Sequence, residues 1–246
     1  MLKKYTAGYF LVKPRKIDFG DMEGRTVLTC STCINDSLFD SWSLSWAQPI
    51  EDQIEYIRTD LTIDSNKQTE IQKWVDNKFE EGKMGWLGVF QDLETVLDYS
   101  NTYLAHVDNK EIMKIVFSES EARSFMEEFQ PQSDKEGLGG IYQNLKLLIE
   151  ANEVKEYEES IGNDLIGVEY GGGGFHSFHC HDLSRDFKEN FGIELNDYGL
   201  IDRPDNFQIL IDYMNDEENG FEPVPWFLVE IIKINEELLD SMNNRL

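Results

Sequence analysis

The stretch Tyr170-Gly-Gly-Gly-Gly-Phe-His-Ser-Phe-His-Cys-His-Asp182 gathers most of the chain's reactive side chains. It contains three of the four histidines, His176, His179 and His181, and one of the three cysteines, Cys180. Imidazoles and thiols at short spacing are the donor set of zinc sites. Cys30-Ser-Thr-Cys33 adds a C-x2-C pair, so a Cys3His site can be written from Cys30, Cys33, Cys180 and one histidine. Two features oppose it. On a helix His179 and His181 point about 200° apart, so one face does not collect all three imidazoles. Cys180 also falls on an apolar stripe, where a free thiol acts as a small hydrophobe. Nucleophilic chemistry has less to build on. Ser177 and His181, and His176 and Cys180, are each four residues apart, yet no oriented base or oxyanion hole is legible. The four glycines could bring backbone N–H groups to an anion, but neither the Lys-Ser/Thr of a P-loop nor G-x-G-x-x-G is present.

The elements that must hold this stretch follow from periodicity. Ile166, Val168 and Tyr170 alternate as in a strand before the glycines. Cys180, Leu183, Phe187 and Phe191 recur at helical spacing, with Ser177 as N-cap and Gly192 as stop. Earlier in the chain, residues 5–13, 25–30, 38–46 and 112–117 read as strands. In the third, Trp42, Leu44 and Trp46 alternate with serines. Helical stripes cover Ile50 to Ile57, Ile71 to Phe79, Phe90 to Leu104 and Leu138 to Ile149. Ser118-Glu-Ser-Glu121 is a capping box that opens a further helix through Phe125 and Phe129. Residues 150–159 are highly acidic and read as a solvated face or linker. Asp202 is placed to cap a helix carrying Phe207, Leu210, Ile211 and Met214. Trp226 to Ile234 could be a buried strand, but Glu230, Lys233, Glu237 and Asp240 recur at helical spacing and Pro225 suits a first turn, so it reads as a helix. The sum is an α+β domain spanning 1–246, with a mixed or antiparallel sheet under several amphipathic helices. Two lobes, about 1–130 and 131–246, are compatible with it.

Composition narrows the function. At 246 residues, 40% apolar and 12% aromatic, the chain is globular and long enough for a substantial core. Its formal net charge is −26. Residues 1–33 hold six basic and three acidic residues, net +3, while the remainder holds 16 basic and 45 acidic, net −29. Nucleic acid and anionic membrane surfaces are poor partners for such a chain, because affinity for both comes from neutralising phosphate. A basic protein is the favoured partner, steered electrostatically. Three cysteines without a secretory signal suit a cytoplasmic setting. Asp212, Asp216, Glu217 and Glu218 cluster at the end of a helix, where carboxylates oppose the dipole. Breaking a local rule in this way marks a candidate partner-binding surface.

Aromatic-rich strands, the serine–tryptophan segment Ser41-Trp-Ser-Leu-Ser-Trp46, the Gly171–Phe178 turn and a heavily acidic surface resemble the immunity proteins that protect bacteria from polymorphic toxins. The resemblance implies a protein that binds a cognate toxin in the cytoplasm and blocks its active site, many such toxins being basic nucleases. It implies no cofactor. Competing readings are a zinc hydrolase built on His176, His179 and His181, a charge mimic of nucleic acid, and an adaptor without small-molecule chemistry.

Overall fold

The computed structural model describes residues 3–31, 33–39, 63–85, 88–130, 140–151, 153–170, 174–202 and 207–243. The serine–tryptophan strand, the helix expected over Ile50 to Ile57 and three of the four glycines, 171–173, lie outside these residues. Among the described residues the strands are β1 (Lys4–Lys13), β2 (Asp36–Ser37), β3 (Met84–Gly85), β4 (Val89–Phe90), β5 (Glu111–Ser118), β6 (Glu158–Val168), β7 (Phe175–Ser177) and β8 (Trp226–Ile234). The helices are α1 (Ser65–Glu80), α2 (Leu93–Tyr103), α3 (Glu119–Glu128), α4 (Ile141–Lys146), α5 (Ser184–Phe191), α6 (Gln208–Met214) and α7 (Glu236–Asn243). The strands form one sheet in the order β3-β4-β1-β5-β8-β6-β7, with β2 also paired to β1, and every pairing is antiparallel. The expected α+β class is therefore present, with an antiparallel sheet. No described helix is long and apolar enough to cross a membrane.

Trp226 to Ile234 is strand, not the helix that its polar spacing suggested. Val229, Ile231, Ile232 and Ile234 are β-branched and suit a pleated surface. Phe227, Val229 and Ile231 pack with Phe117 and Phe125 on one face, while Trp226 and Leu228 pack with Phe178, Phe187 and Leu210 on the other. A strand buried on both faces is a continuous apolar run with no two-residue alternation to read. Its polar residues answer to other strands of the sheet instead. Glu230 accepts from Lys4 Nζ at 2.5 Å and from Ser160 at 2.6 Å, and Lys233 donates to Glu111 at 2.8 Å.

The junction of β5 and α3 follows the local chemistry in part. Ser118 caps α3 by accepting from the Glu121 N–H at 3.3 Å. Glu121 does not return the bond. Its carboxylate accepts from Leu228 N at 3.1 Å, just beyond Phe117↔Val229, the last β5–β8 pair. The helical turn thus begins where β5 stops, and Glu121 satisfies the next donor of β8. Burial holds its carboxyl above the usual range, with the Leu228 N–H opposing that shift.

Other expectations shift. The stripe expected from Leu138 to Ile149 yields only α4 within the described residues. Leu148 adopts φ 53°, and Ile149 and Ala151 hydrogen-bond to β1, so Leu147, Leu148 and Ile149 are exposed. Residues 25–30 contribute only the bridge Lys16↔Thr26, although Val27, Leu28 and Cys30 are buried. Phe90 belongs to β4, so α2 starts at Leu93, capped by Asp92. The acidic linker ends in β6, where Glu158 is buried against Lys114.

Both long strands flanking the centre carry a bulge, at Thr6/Gly8 in β1 and at Ser160/Gly162 in β6. The glycines take φ +136° and +134°, a region that side chains rarely occupy. A Cβ on Gly8 would lie 2.4 Å from Val89 and 2.7 Å from the Phe90 carbonyl. Gly8→Ala is expected to destabilise the protein by about 2–3 kcal/mol, read from denaturant midpoints. An unchanged midpoint would mean that the bulge relaxes without cost.

Candidate functional site

The reactive residues are brought together from two distant parts of the chain. The segment between β1 and β2 lies over the core face, anchored by buried Val27, Leu28 and Cys30. Asn35 Nδ2 donates to the carbonyls of Val27 and Thr29 at 2.9 and 3.1 Å, and Arg15 donates to the carbonyls of Ile34 and Cys33 at 3.1 and 2.9 Å. These bonds fix the backbone at Cys33 and leave its thiol exposed.

The second part is β7 with the turn behind it. Antiparallel pairing sets His176 opposite Gly167 of β6. The expected continuous helix is instead a 3-10 turn, Phe178–His181, followed by α5, with Asp182 in the left-handed region at φ 55° between them. Ser177 caps the turn as expected. Its Oγ accepts from His179 N at 3.4 Å, and its own N–H donates to Cys180 Sγ at 3.3 Å. The left-handed residue earns its place, since the Asp182 carboxylate accepts from Asp21 N at 3.1 Å and ties the turn to the first segment.

The outcome is a group of three ligand-type side chains, Cys33, His176 and Cys180, whose donor atoms all lie within 4.8 Å of one another. Cys180 Sγ is hydrogen-bonded to Ser31 Oγ at 3.1 Å. His176 Nε2 donates to Glu169 Oε1 at 2.9 Å. Glu222 links the neighbouring rings: its Oε1 lies 3.6 Å from His176 Nδ1 and its other oxygen contacts His181 Nε2.

The other residues of the sequence-derived zinc set stand apart from this group. Cys30 is fully buried in the core, and desolvation holds its thiol well above the usual range. His179 is buried, stacks on Phe178 with ring centroids 4.0 Å apart, and is hydrogen-bonded through Nε2 to Gly199 O at 2.7 Å. Burial lowers its pKa to about 4, so it packs as a neutral ring. His181 lies between Phe221 and Trp226 and meets Glu222. The three imidazoles do not meet at one point: His179 is buried in the core, while His176 and His181 both reach Glu222.

Electrostatics divides the two thiols. A hydrogen bond from Cys180, followed by one with His176, holds Cys33 well below the usual thiol range, whereas the adjacent Cys33 and burial push Cys180 up. The pair gives up one proton readily, from the exposed sulfur. Contact with Cys33, ahead of Glu169 and Glu222, raises His176 to about 9. Beneath the cluster Asp164 is completely buried. Ser177 Oγ donates to its Oδ1 at 2.7 Å, and Thr29 Oγ1 donates to its Oδ2. Desolvation outweighs those bonds and raises its pKa to about 7.

Sequence reasoning missed Glu169, Glu222, Ser31 and Asp164. Glu169 was within reach, because a strand running to Val168 and returning at Phe175 brings it beside His176. Glu222 carried no signal, being 41 residues from His181.

The acidic quartet lies elsewhere. Asp212 accepts from Gln208 Nε2 at 2.9 Å, Asp216 caps a 3-10 turn by accepting from Glu218 N at 3.0 Å, and all four carboxylates are exposed. Asp202 does not cap α6; it accepts from Asn196 Nδ2 at 3.0 Å. A cavity of about 880 Å³ opens over β5, β8 and β6, with the start of α3 and residues 196–202 as walls. Glu119, Glu121, Asp197, Asp202 and Glu230 line it against two cations, Lys4 and Arg123. Phe207, at the start of α6, forms part of its rim.

Comparison of the chain with protein-family models, with curated proteins and with solved structures finds no match.

Proposed function

We propose that the chain is a stoichiometric inhibitor that binds a basic protein, a bacterial toxin of the nuclease type, and occupies the cations with which that toxin holds phosphate. The observation that carries this reading is the acidic cavity, where five carboxylates face two cations on a chain of net charge −26. A lysine or arginine entering it exchanges water for carboxylates, several already oriented by hydrogen bonds. From the rim at Phe207, the seven residues of α6 carry the chain about 10 Å to Asp216, Glu217 and Glu218. Cavity and quartet are the two acidic features offered to the basic partner.

Two experiments test the reading. Co-expression with a toxin encoded immediately upstream restores growth if the reading is right; a neighbouring metabolic operon, or a toxin that still kills, counts against it. Combined Asp212→Ala, Asp216→Ala, Glu217→Ala and Glu218→Ala substitution weakens binding to that toxin by about 10- to 100-fold and flattens its salt dependence. Unchanged affinity and salt slope would remove the quartet from the interface.

A further inference from the structure

We propose that Cys33, Cys180 and His176 form a binding site for a thiophilic divalent cation, zinc in class, that clasps the β1–β2 segment to β7 and its following turn. Zinc takes tetrahedral sulfur and nitrogen ligands, with Zn–S about 2.3 Å and Zn–N about 2.0–2.1 Å, which sets ligand atoms about 3.6–3.8 Å apart. The three donor atoms here lie within 4.8 Å of one another, near the spacing that such an ion requires.

Three features favour a cation over a coincidence of packing. His176 presents a ligand nitrogen. Its Nε2 donates to Glu169, which fixes the tautomer, and Nδ1 is buried with no hydrogen-bond partner. An ion entering the site displaces the Nδ1 proton that faces Glu222, while Nε2–H stays with Glu169; a carboxylate behind one ring nitrogen and the metal on the other is the arrangement that orients metal-bound histidines. Cys180 Sγ receives the Ser177 N–H and meets the Ser31 hydroxyl, bonds that position a sulfur and support a thiolate. Cys33 is exposed, which gives the ion a way in. Glu222 Oε1, 3.6 Å from Nδ1, borders the fourth position as a ligand or as the acceptor of a bound water. Two sulfurs and one imidazole select zinc over magnesium or calcium, whose ligands are oxygens.

The chain asks for such a clasp. Cys33 and Cys180 are 147 residues apart, and the described part of the segment carrying Cys33 forms, besides a 3-10 turn at Gly20–Met22, one bridge, Lys16↔Thr26. An ion joining three elements of the folded state, and absent from the unfolded chain, stabilises the fold by linkage.

The test uses the full chain without a histidine tag, reduced and stripped with chelator. Zinc chloride is expected to bind at one equivalent per chain and to raise Tm by about 5–10 °C at a hundredfold excess over Kd. Cobalt(II) is expected to give a thiolate charge-transfer band and the strong visible absorption of a tetrahedral site. Cys33→Ser, at an exposed position, retains the fold and weakens zinc binding at least 100-fold, as does Cys180→Ser. Cys30→Ala leaves the affinity unchanged. Substoichiometric zinc, no thiolate band, or equal affinity in Cys33→Ser overturns the proposal. So does a Cys33–Cys180 disulfide that forms in air while the reduced protein takes no zinc. Should Cys180→Ser fail to fold, Cys33→Ser and the cobalt spectrum decide.

Discussion

Lys114→Met lowers the unfolding free energy by about 3–5 kcal/mol, one of the two largest effects expected of any single substitution here. Lys114 in β5 and Glu158 at the start of β6 face each other at 2.9 Å, with side chains 5% and 0% exposed. Their attraction offsets desolvation only while both are present. Methionine fills most of the lysine's volume, so the loss comes from the stranded Glu158 carboxylate, left with the Lys155 N–H at 3.0 Å. The double variant Lys114→Met, Glu158→Leu removes both charges and recovers most of the stability, because an apolar pair in a dry site performs about as well as an ionic one. Urea denaturation of the two variants measures this. A double variant as unstable as the single would show that the pair does more than neutralise itself.

The second large effect depends on pH. Asp164 is raised from 3.8 to about 7, chiefly by desolvation in complete burial. The folded state therefore holds this proton more tightly than the unfolded chain does. The stability the group contributes is fully present below about pH 3.8 and is lost as pH rises to about 7, a loss of about 4 kcal/mol. Asp164→Asn keeps the shape and can still accept from Ser177 or Thr29, but has no proton to lose. Its unfolding free energy relative to the parent chain is expected to rise by about 4 kcal/mol between pH 4 and pH 8. Taking the difference cancels the carboxylates common to both. Parallel curves for the two proteins across that range would show that Asp164 ionises freely. Ser177 and Thr29, which hold Asp164, also hold the turn and the Ser31 segment around Cys180.

The parts of this fold that were legible are those where one residue's chemistry decides its own neighbourhood. Ser118 after an apolar run gave a strand and a capped helix, and Gly192 gave a stop, both seen in the structure. Central strand β8 was hidden because Glu230 and Lys233 meet Lys4 and Glu111 across the sheet, and their spacing mimics a helical turn by coincidence. The stripe ending at Ile149 misled because β1 takes up the backbone of residues 149–151 by hydrogen bonding, a tertiary claim on a locally helical pattern. At the cluster, the adjacency of Cys30 and Cys33 suggested a pair, yet the core takes the first and only the second meets Cys180. Nothing within a dozen residues of Cys33 announces a partner 147 positions away.

The place of β8 bears on how the molecule is made. It is the last strand in sequence, yet it lies between β5 and β6. Until residues 226–234 leave the ribosome, two half-sheets wait with apolar edges open to any passing strand. Pairing that late over such sequence distances makes for slow folding. Until β8 pairs with both, those edges are the surfaces that chaperones would have to shield.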